Sequence, residues 1–230
     1  MRACAKVPKL RAMNPGPLKV VCFAVKEEAR FFQRLAGARP EVRVLLTGMG
    51  CRNAERAVRS FLGSARPGLV VSAGFAGGLK PGLARGTVLF SDARDAALEK
   101  RLLAAGAKRG RFHFARHVVA HATEKKRLYD ETGADAVEME SQIIGAICRE
   151  HQVPCVTVRV VLDEVEEDLP LDFNELLTTD ERMDLGKLAW TVMKKPGLIP
   201  ALLKLRNQSE MVARRLGEVL GRVVAEPEVR

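Results

Sequence analysis

The sequence is poor in the residues that stack on bases, cross membranes or staple secreted folds. One tryptophan and one tyrosine stand among 230 residues, and aromatics make up only 5%. Proteins that hold single strands stack bases on aromatic side chains. The net charge of +10 is also spread along the chain rather than gathered on one segment, so nucleic acid is disfavoured as a partner. No apolar run approaches the roughly 20 residues of a membrane-spanning helix. The five cysteines (Cys4, Cys22, Cys51, Cys148 and Cys155) are odd in number and scattered, without a C-x-x-C pair. They read as free thiols in a reducing cytoplasm, with Cys22 and Cys155 inside apolar strands. There is no G-x-G-x-x-G, P-loop or G-x-S-x-G motif. His113, His117 and His121 recur every four residues, but they lie in a segment that reads as strand and lack partner acids, so no metal is expected.

What is present suits one globular domain: 47% of the residues are hydrophobic, enough for a sizeable core. Residues 1–17 are basic, broken by Pro8, Pro15 and Pro17, and lack an apolar h-region. They read as a flexible lead rather than a secretory signal, with Met13 an alternative start. Apolar runs then alternate with amphipathic ones. Strands are expected at 18–25, 42–46, 69–73, 86–91, 112–121 and 153–162, with a short strand or turn at 136–140. Helices are expected at 26–35, 53–62, 95–105, 124–131 and 141–151. The alternation predicts an α/β fold, a mostly parallel or mixed central sheet flanked by helices. This domain spans 18–184. Residues 185–230 read as a C-terminal helical extension of the same domain, with helices near 185–193, from 199 to 206 or beyond, and on to about 224.

Carboxylates mark the strand ends. Glu27 and Glu28 follow the first strand, Glu138 and Glu140 sit where a short strand meets a helix, and Asp163 ends the last strand. Alone, each reads equally well as a helix-dipole partner or cap. Together with the glycine-rich 72–78, which reads as a turn, they would converge on one edge of a parallel sheet, where such folds place ligands.

Five segments in one order carry a resemblance: Ala-Val-Lys-Glu-Glu-Ala at 24–29, Thr-Gly-Met-Gly at 47–50, Ser-Ala-Gly-Phe-Ala-Gly-Gly-Leu at 72–79, Ala-Val-Glu-Met-Glu at 136–140, and the strand from Arg159 to Asp163. Together they resemble the superfamily of purine nucleoside phosphorylases and methylthioadenosine/S-adenosylhomocysteine nucleosidases. The resemblance implies an enzyme that breaks the N-glycosidic bond of a purine nucleoside, adenine being the expected base. It makes Asp163 the acid that protonates the leaving base, Glu140 the grip on the ribose hydroxyls, Met139 a wall of the sugar site and Glu28 the group that activates water. Phe75, Ala76, Gly77, Glu138 and Arg159 join the substrate-binding set.

No cofactor is implied beyond inorganic phosphate, should the reaction be phosphorolysis. The phosphorylases tend to carry an arginine ahead of the glycine-rich segment, where this chain has Ser72, and a carboxylate at Glu28 would repel phosphate. Hydrolysis is therefore the first expectation and phosphorolysis, with Lys26 and Arg52 as anion ligands, the alternative. A non-catalytic basic protein on the same fold, binding nucleotide or a membrane surface, is the alternative of another class. Phe75 and Leu162 replace serines usual in the nucleosidases, and the stretch between Ser91 and Phe112 is short. Both point to an apolar 5′ substituent. The segment 194–205 resembles the tail of the hopanoid-associated phosphorylase (nucleosidase) branch, which is associated with removing adenine from adenosylhopane. A basic, apolar helix pair of this kind also suits peripheral membrane contact. A homodimer is expected from the resemblance.

Overall fold

The computed structural model describes residues 17–37, 39–178 and 184–225. Apart from Pro17, the expected N-terminal lead lies outside these residues. The elements run β1 (Lys19–Phe23), α1 (Lys26–Ala36), β2 (Val42–Leu46), α2 (Cys51–Leu62), β3 (Leu69–Gly78), β4 (Val88–Ser91), α3 (Ala96–Ala104), β5 (Lys108–Arg109), β6 (Phe112–Phe114), α4 (Ala122–Thr132), β7 (Ala136–Glu138), α5 (Ser141–Glu150), β8 (Cys155–Asp163), α6 (Leu185–Lys194) and α7 (Ile199–Ala225). Short 3-10 turns at Phe173–Leu176 and Pro196–Leu198 flank α6.

The eight strands form one mixed sheet with central order β2-β1-β3-β8-β4-β5. β2, β1, β3 and β8 are parallel, and β4 runs antiparallel to β8. β7 pairs with the far end of β3, at Gly77 and Gly78, and with β6. The expected α/β class with a mixed, helix-flanked sheet is the one observed.

Alternation along the strands sorts the two faces. Val21, Phe23, Val71, Val158 and Val160 point to one layer, where α1, α3 and α7 supply Phe32, Leu102, Leu216 and Leu220. Val20, Cys22 and Val70 point to the other, against Val58 and Leu62 of α2 and Ile144 and Ile147 of α5. Burial of both faces explains why β1, β3 and β8 read as continuous apolar runs.

Three local expectations change. The glycine-rich 72–78 is not a turn but the second half of β3. Its register to β8 slips between Ala76 and Gly77, so that Gly77 faces Asp163 and Leu162 is skipped. The strand expected over 112–121 stops at Phe114. Its only partner, β7, ends at Glu138, and the Ala115 N–H donating to the Glu138 carbonyl at 2.9 Å closes the pairing. The two helices expected after residue 199 are one 27-residue helix, α7, whose Val212, Ala213, Leu216, Val219 and Leu220 are fully buried.

Candidate active site

At the carboxyl ends of β1, β3 and β8 lies a cavity of about 330 Å³. Glu28, Phe75, Ala76, Gly77, Glu138, Met139, Glu140 and Asp163 all line it. The four acids are thus brought together from three segments of the sequence. Arg159 is not on the wall. It lies beneath it, 1% exposed.

Glu28 sits in the first turn of α1. One carboxylate oxygen accepts from the Ala24 and Val25 N–H groups at 3.0 and 3.3 Å, and the other accepts from Phe75 N–H at 2.8 Å. The helix-cap reading and the ligand reading therefore both apply to the same side chain, which caps α1 while facing the cavity. A Cβ on Gly74 would come within 2.8 Å of its Oε1, so a glycine is needed where β3 passes the acid. Burial pushes the Glu28 carboxyl above its ordinary range, against the N–H donors and Arg159. A carboxylate raised in this way is a stronger base than a solvated one. Glu27, one residue earlier, is exposed.

Glu138 and Glu140 divide their work. Glu138 accepts from the Glu140 and Ser141 N–H groups at 3.1 and 2.8 Å, from the Ser141 hydroxyl at 2.7 Å and from Arg159 at 2.6 Å. Its oxygens hold the start of α5 and fix Arg159, which also donates to the Ser72 carbonyl at 2.8 Å. Glu140 accepts from Gly50 N–H at 3.0 Å and lies 3.8 Å from Arg159. Burial, then the charges of Glu138 and Glu28, push its carboxyl up to about 7, against Arg159.

Asp163 ends β8, 7% exposed. Its carboxylate forms an ion pair with Lys125 of α4, a lysine that is completely buried. Burial lifts the Asp163 carboxyl above the usual aspartate range even so; Glu167 adds to the rise, while Lys125 and Arg85 oppose it. A Cβ on Gly77 would approach its Oδ2 to 3.3 Å.

The rest of the wall was not foreseen. Met49, His117, Val118 and Val119 contribute, as do Leu169, Phe173 and Leu177 after β8 and Leu205 and Ser209 from α7. Met49 belongs to the Thr-Gly-Met-Gly segment at 47–50, and Leu205 and Ser209 lie on α7; the loop residues among the others carry no period and no motif. Lys26 and Arg52 are not among the lining residues.

Fold and site together define an α/β protein with a carboxylate-lined ligand cavity at the ends of its parallel strands. The family model of the phosphorylase superfamily matches residues 7–100 and 91–194, and the chain belongs to that superfamily. A stretch of 58 residues is 36% identical to the aminodeoxyfutalosine nucleosidase of Helicobacter pylori strain J99, a match that spans 25% of this chain and 25% of that relative. The fold is similar to that of futalosine hydrolase of Helicobacter pylori strain 26695, with a TM-score of 0.68 at 16% identity over 91% of this chain and 98% of the other. It is similar as well to the 5′-methylthioadenosine/S-adenosylhomocysteine nucleosidase of Neisseria meningitidis in complex with methylthio-immucillin-A. There the TM-score is 0.65 at 17% identity, over 90% and 98% of the two chains.

Proposed function

We propose that the protein hydrolyses the N-glycosidic bond of a purine nucleoside, adenine being the base, that carries an apolar 5′ group. The observation that supports this best is the meeting of Asp163, Glu140 and Glu28 in one cavity, each with a carboxyl pushed upward by burial. A purine leaves poorly as an anion. An acid at its edge lowers that barrier, and Asp163, its carboxyl raised by burial, is the acid. The ribose left behind has oxocarbenium character, as in glycoside hydrolysis. Glu140, held by Gly50 N–H on one oxygen and facing the cavity, grips the ribose hydroxyls and stabilises that charge. Glu28 takes the proton of the attacking water. Met139, Phe75, Ala76 and Gly77 shape the sugar and base walls, while Glu138 and Arg159 hold Glu140 in place from beneath.

The 5′ group is read from the remaining wall. Phe75, Leu162, Leu169, Phe173, Leu177 and Leu205 present carbon where a polar tail would want donors. The cavity, at about 330 Å³, is at the small end of the roughly 300–1,000 Å³ of ligand sites, so it suits the nucleoside head, and a large substituent extends past Leu205 and Ser209 of α7. A hopanoid-linked nucleoside fits this description. The same helices expose Leu185, Trp190, Met193, Ile199 and Leu203, and peripheral contact with a membrane surface from the cytoplasmic side belongs to the reading. A homodimer is proposed with it, to be checked by sedimentation.

The test is base release from a panel of 5′-substituted adenosines, including 5′-alkyl and hopanoid-linked ones, with the wild type and Asp163→Asn. Asp163→Asn is expected to lower release by about a hundredfold or more. No base released from any member of the panel, with or without phosphate, overturns the reading.

A further inference from the structure

Lys125 has an unusual position for a lysine. It stands on α4, outside the cavity wall, with none of its surface exposed. Lysine is almost never fully buried unless paired, and an ammonium has three N–H donors to place. Here three acceptors meet it. The Glu164 carbonyl lies at 3.0 Å, the Glu167 carbonyl at 2.7 Å, and the Asp163 carboxylate supplies the third. The two carbonyls hold the amine against the Asp163 carboxylate, with which it forms its ion pair.

A second ion pair stands beside this one. Arg85 forms an ion pair with the Glu167 carboxylate and donates to the Leu162 carbonyl at 2.7 Å, and its own N–H donates to the Glu164 carboxylate at 2.9 Å. The loop after β8 is thereby tied back on both sides of Asp163. On α4 itself, Glu124 faces His117, at 2.9 Å.

We propose that Lys125 is a positioning residue that serves Asp163 as its proton source, the two side chains forming one buried proton-sharing unit. This rests on the reading of Asp163 as the acid to the leaving base. As the bond from C1′ to the base nitrogen breaks, its electron pair passes to the purine. The proton shared by Lys125 and Asp163 passes through the Asp163 carboxyl to a purine nitrogen, leaving a carboxylate beside a neutral amine. Water adds to C1′ and gives its proton to Glu28. Exchange with solvent returns a proton to Lys125 and removes one from Glu28, so protons balance over the cycle. An ion pair that shares a proton resolves a conflict in the site: a carboxylate beside a buried cation would otherwise be a poor acid.

Arginine separates proton supply from charge. It can meet the same acceptors but stays protonated throughout the working range. The experiment compares two leaving groups on one 5′-substituted ribose: adenine, which needs a proton, and 4-nitrophenolate, which leaves without one. Wild type, Lys125→Arg, Lys125→Met and Asp163→Asn are assayed on both. Both Lys125 variants are expected to lose about a hundredfold or more in adenine release while keeping nitrophenolate release within a few-fold of wild type. Adenine release by Lys125→Arg at the wild-type rate and pH profile overturns the proposal, leaving Lys125 a fixed charge. Parallel loss of both activities in both variants also overturns it, because the role is then structural. Asp163→Asn keeps the two failures apart: if it releases adenine normally, the assignment of the acid itself is wrong.

Discussion

Among the site residues, Glu140 is the one whose ionisation should be visible in stability. Its carboxyl titrates at about 7 in the folded chain, against about 4.3 when solvated. Between those values the unfolded chain has released a proton that the folded chain keeps. The favourable contribution is therefore complete below about pH 4 and is lost as pH rises through about 7. Glu140→Gln removes this dependence and leaves an amide oxygen to accept from Gly50. Its melting temperature relative to wild type is expected to rise between about pH 5 and pH 8, read by scanning calorimetry at both. A constant difference would mean that Glu140 is already ionised at the lower pH. Legibility at this scale was uneven. Acids at strand ends stand out because strands and carboxylates rarely mix. Lys125 does not, because a lysine in a charged helical stretch such as Glu124 to Arg127 reads as solvated surface, and only the fold shows that this one turns inward.

Elements were legible wherever one face or both faces are apolar, and boundaries failed where pairing rather than pattern decides. β6 stops because β7 does. α7 was split at Arg206 because its first half is largely exposed and its second half is core, so its periodic signal changes along its length. Gly217 shows how deeply that second half is seated: a Cβ there would meet the Phe32 backbone nitrogen at 3.0 Å. The first half of α7 and α6 behave differently. α6 buries no residue, and between Leu185 and Ser209 the chain has Lys187, Lys194, Lys195, Lys204 and Arg206 but no acid. Exposed Leu185, Trp190 and Met193 beside lysines match an anionic lipid surface. Binding to vesicles of mixed neutral and anionic phospholipid is expected to weaken at high salt. Trp190→Ser should lower the affinity by about tenfold or more, since burying one large apolar side chain contributes about 1.5–3 kcal/mol. Equal binding of wild type and variant in co-sedimentation would remove α6 from the membrane. Dissociation of a dimer by the same substitution would assign the face to a second copy.

At the scale of the whole molecule the charge is divided against itself, and this bears on the nucleophile. The chain carries +10 overall, a balance that draws anions in general. The cavity does not share it. Glu28, Glu138 and Glu140 gather around a single guanidinium, Arg159, which is already bonded to Ser72 and Glu138. Surface lysines and arginines act on the cavity only through solvent, where salt screens them over about 8 Å. The buried acids act at contact distance and without that screening. A phosphate dianion entering beside Glu28 would meet like charge where it needs donors, whereas a neutral water finds a base. The expected outcome is a 5′-substituted free ribose as product. The initial rate should be unchanged within about twofold as phosphate is raised into the tens of millimolar, because attraction at the surface does not reach the reacting carbon. Saturable acceleration by phosphate with a ribose 1-phosphate product would show instead that an anion displaces water in spite of Glu28, held by cations that do not line the cavity, Lys26 and Arg52 first among them.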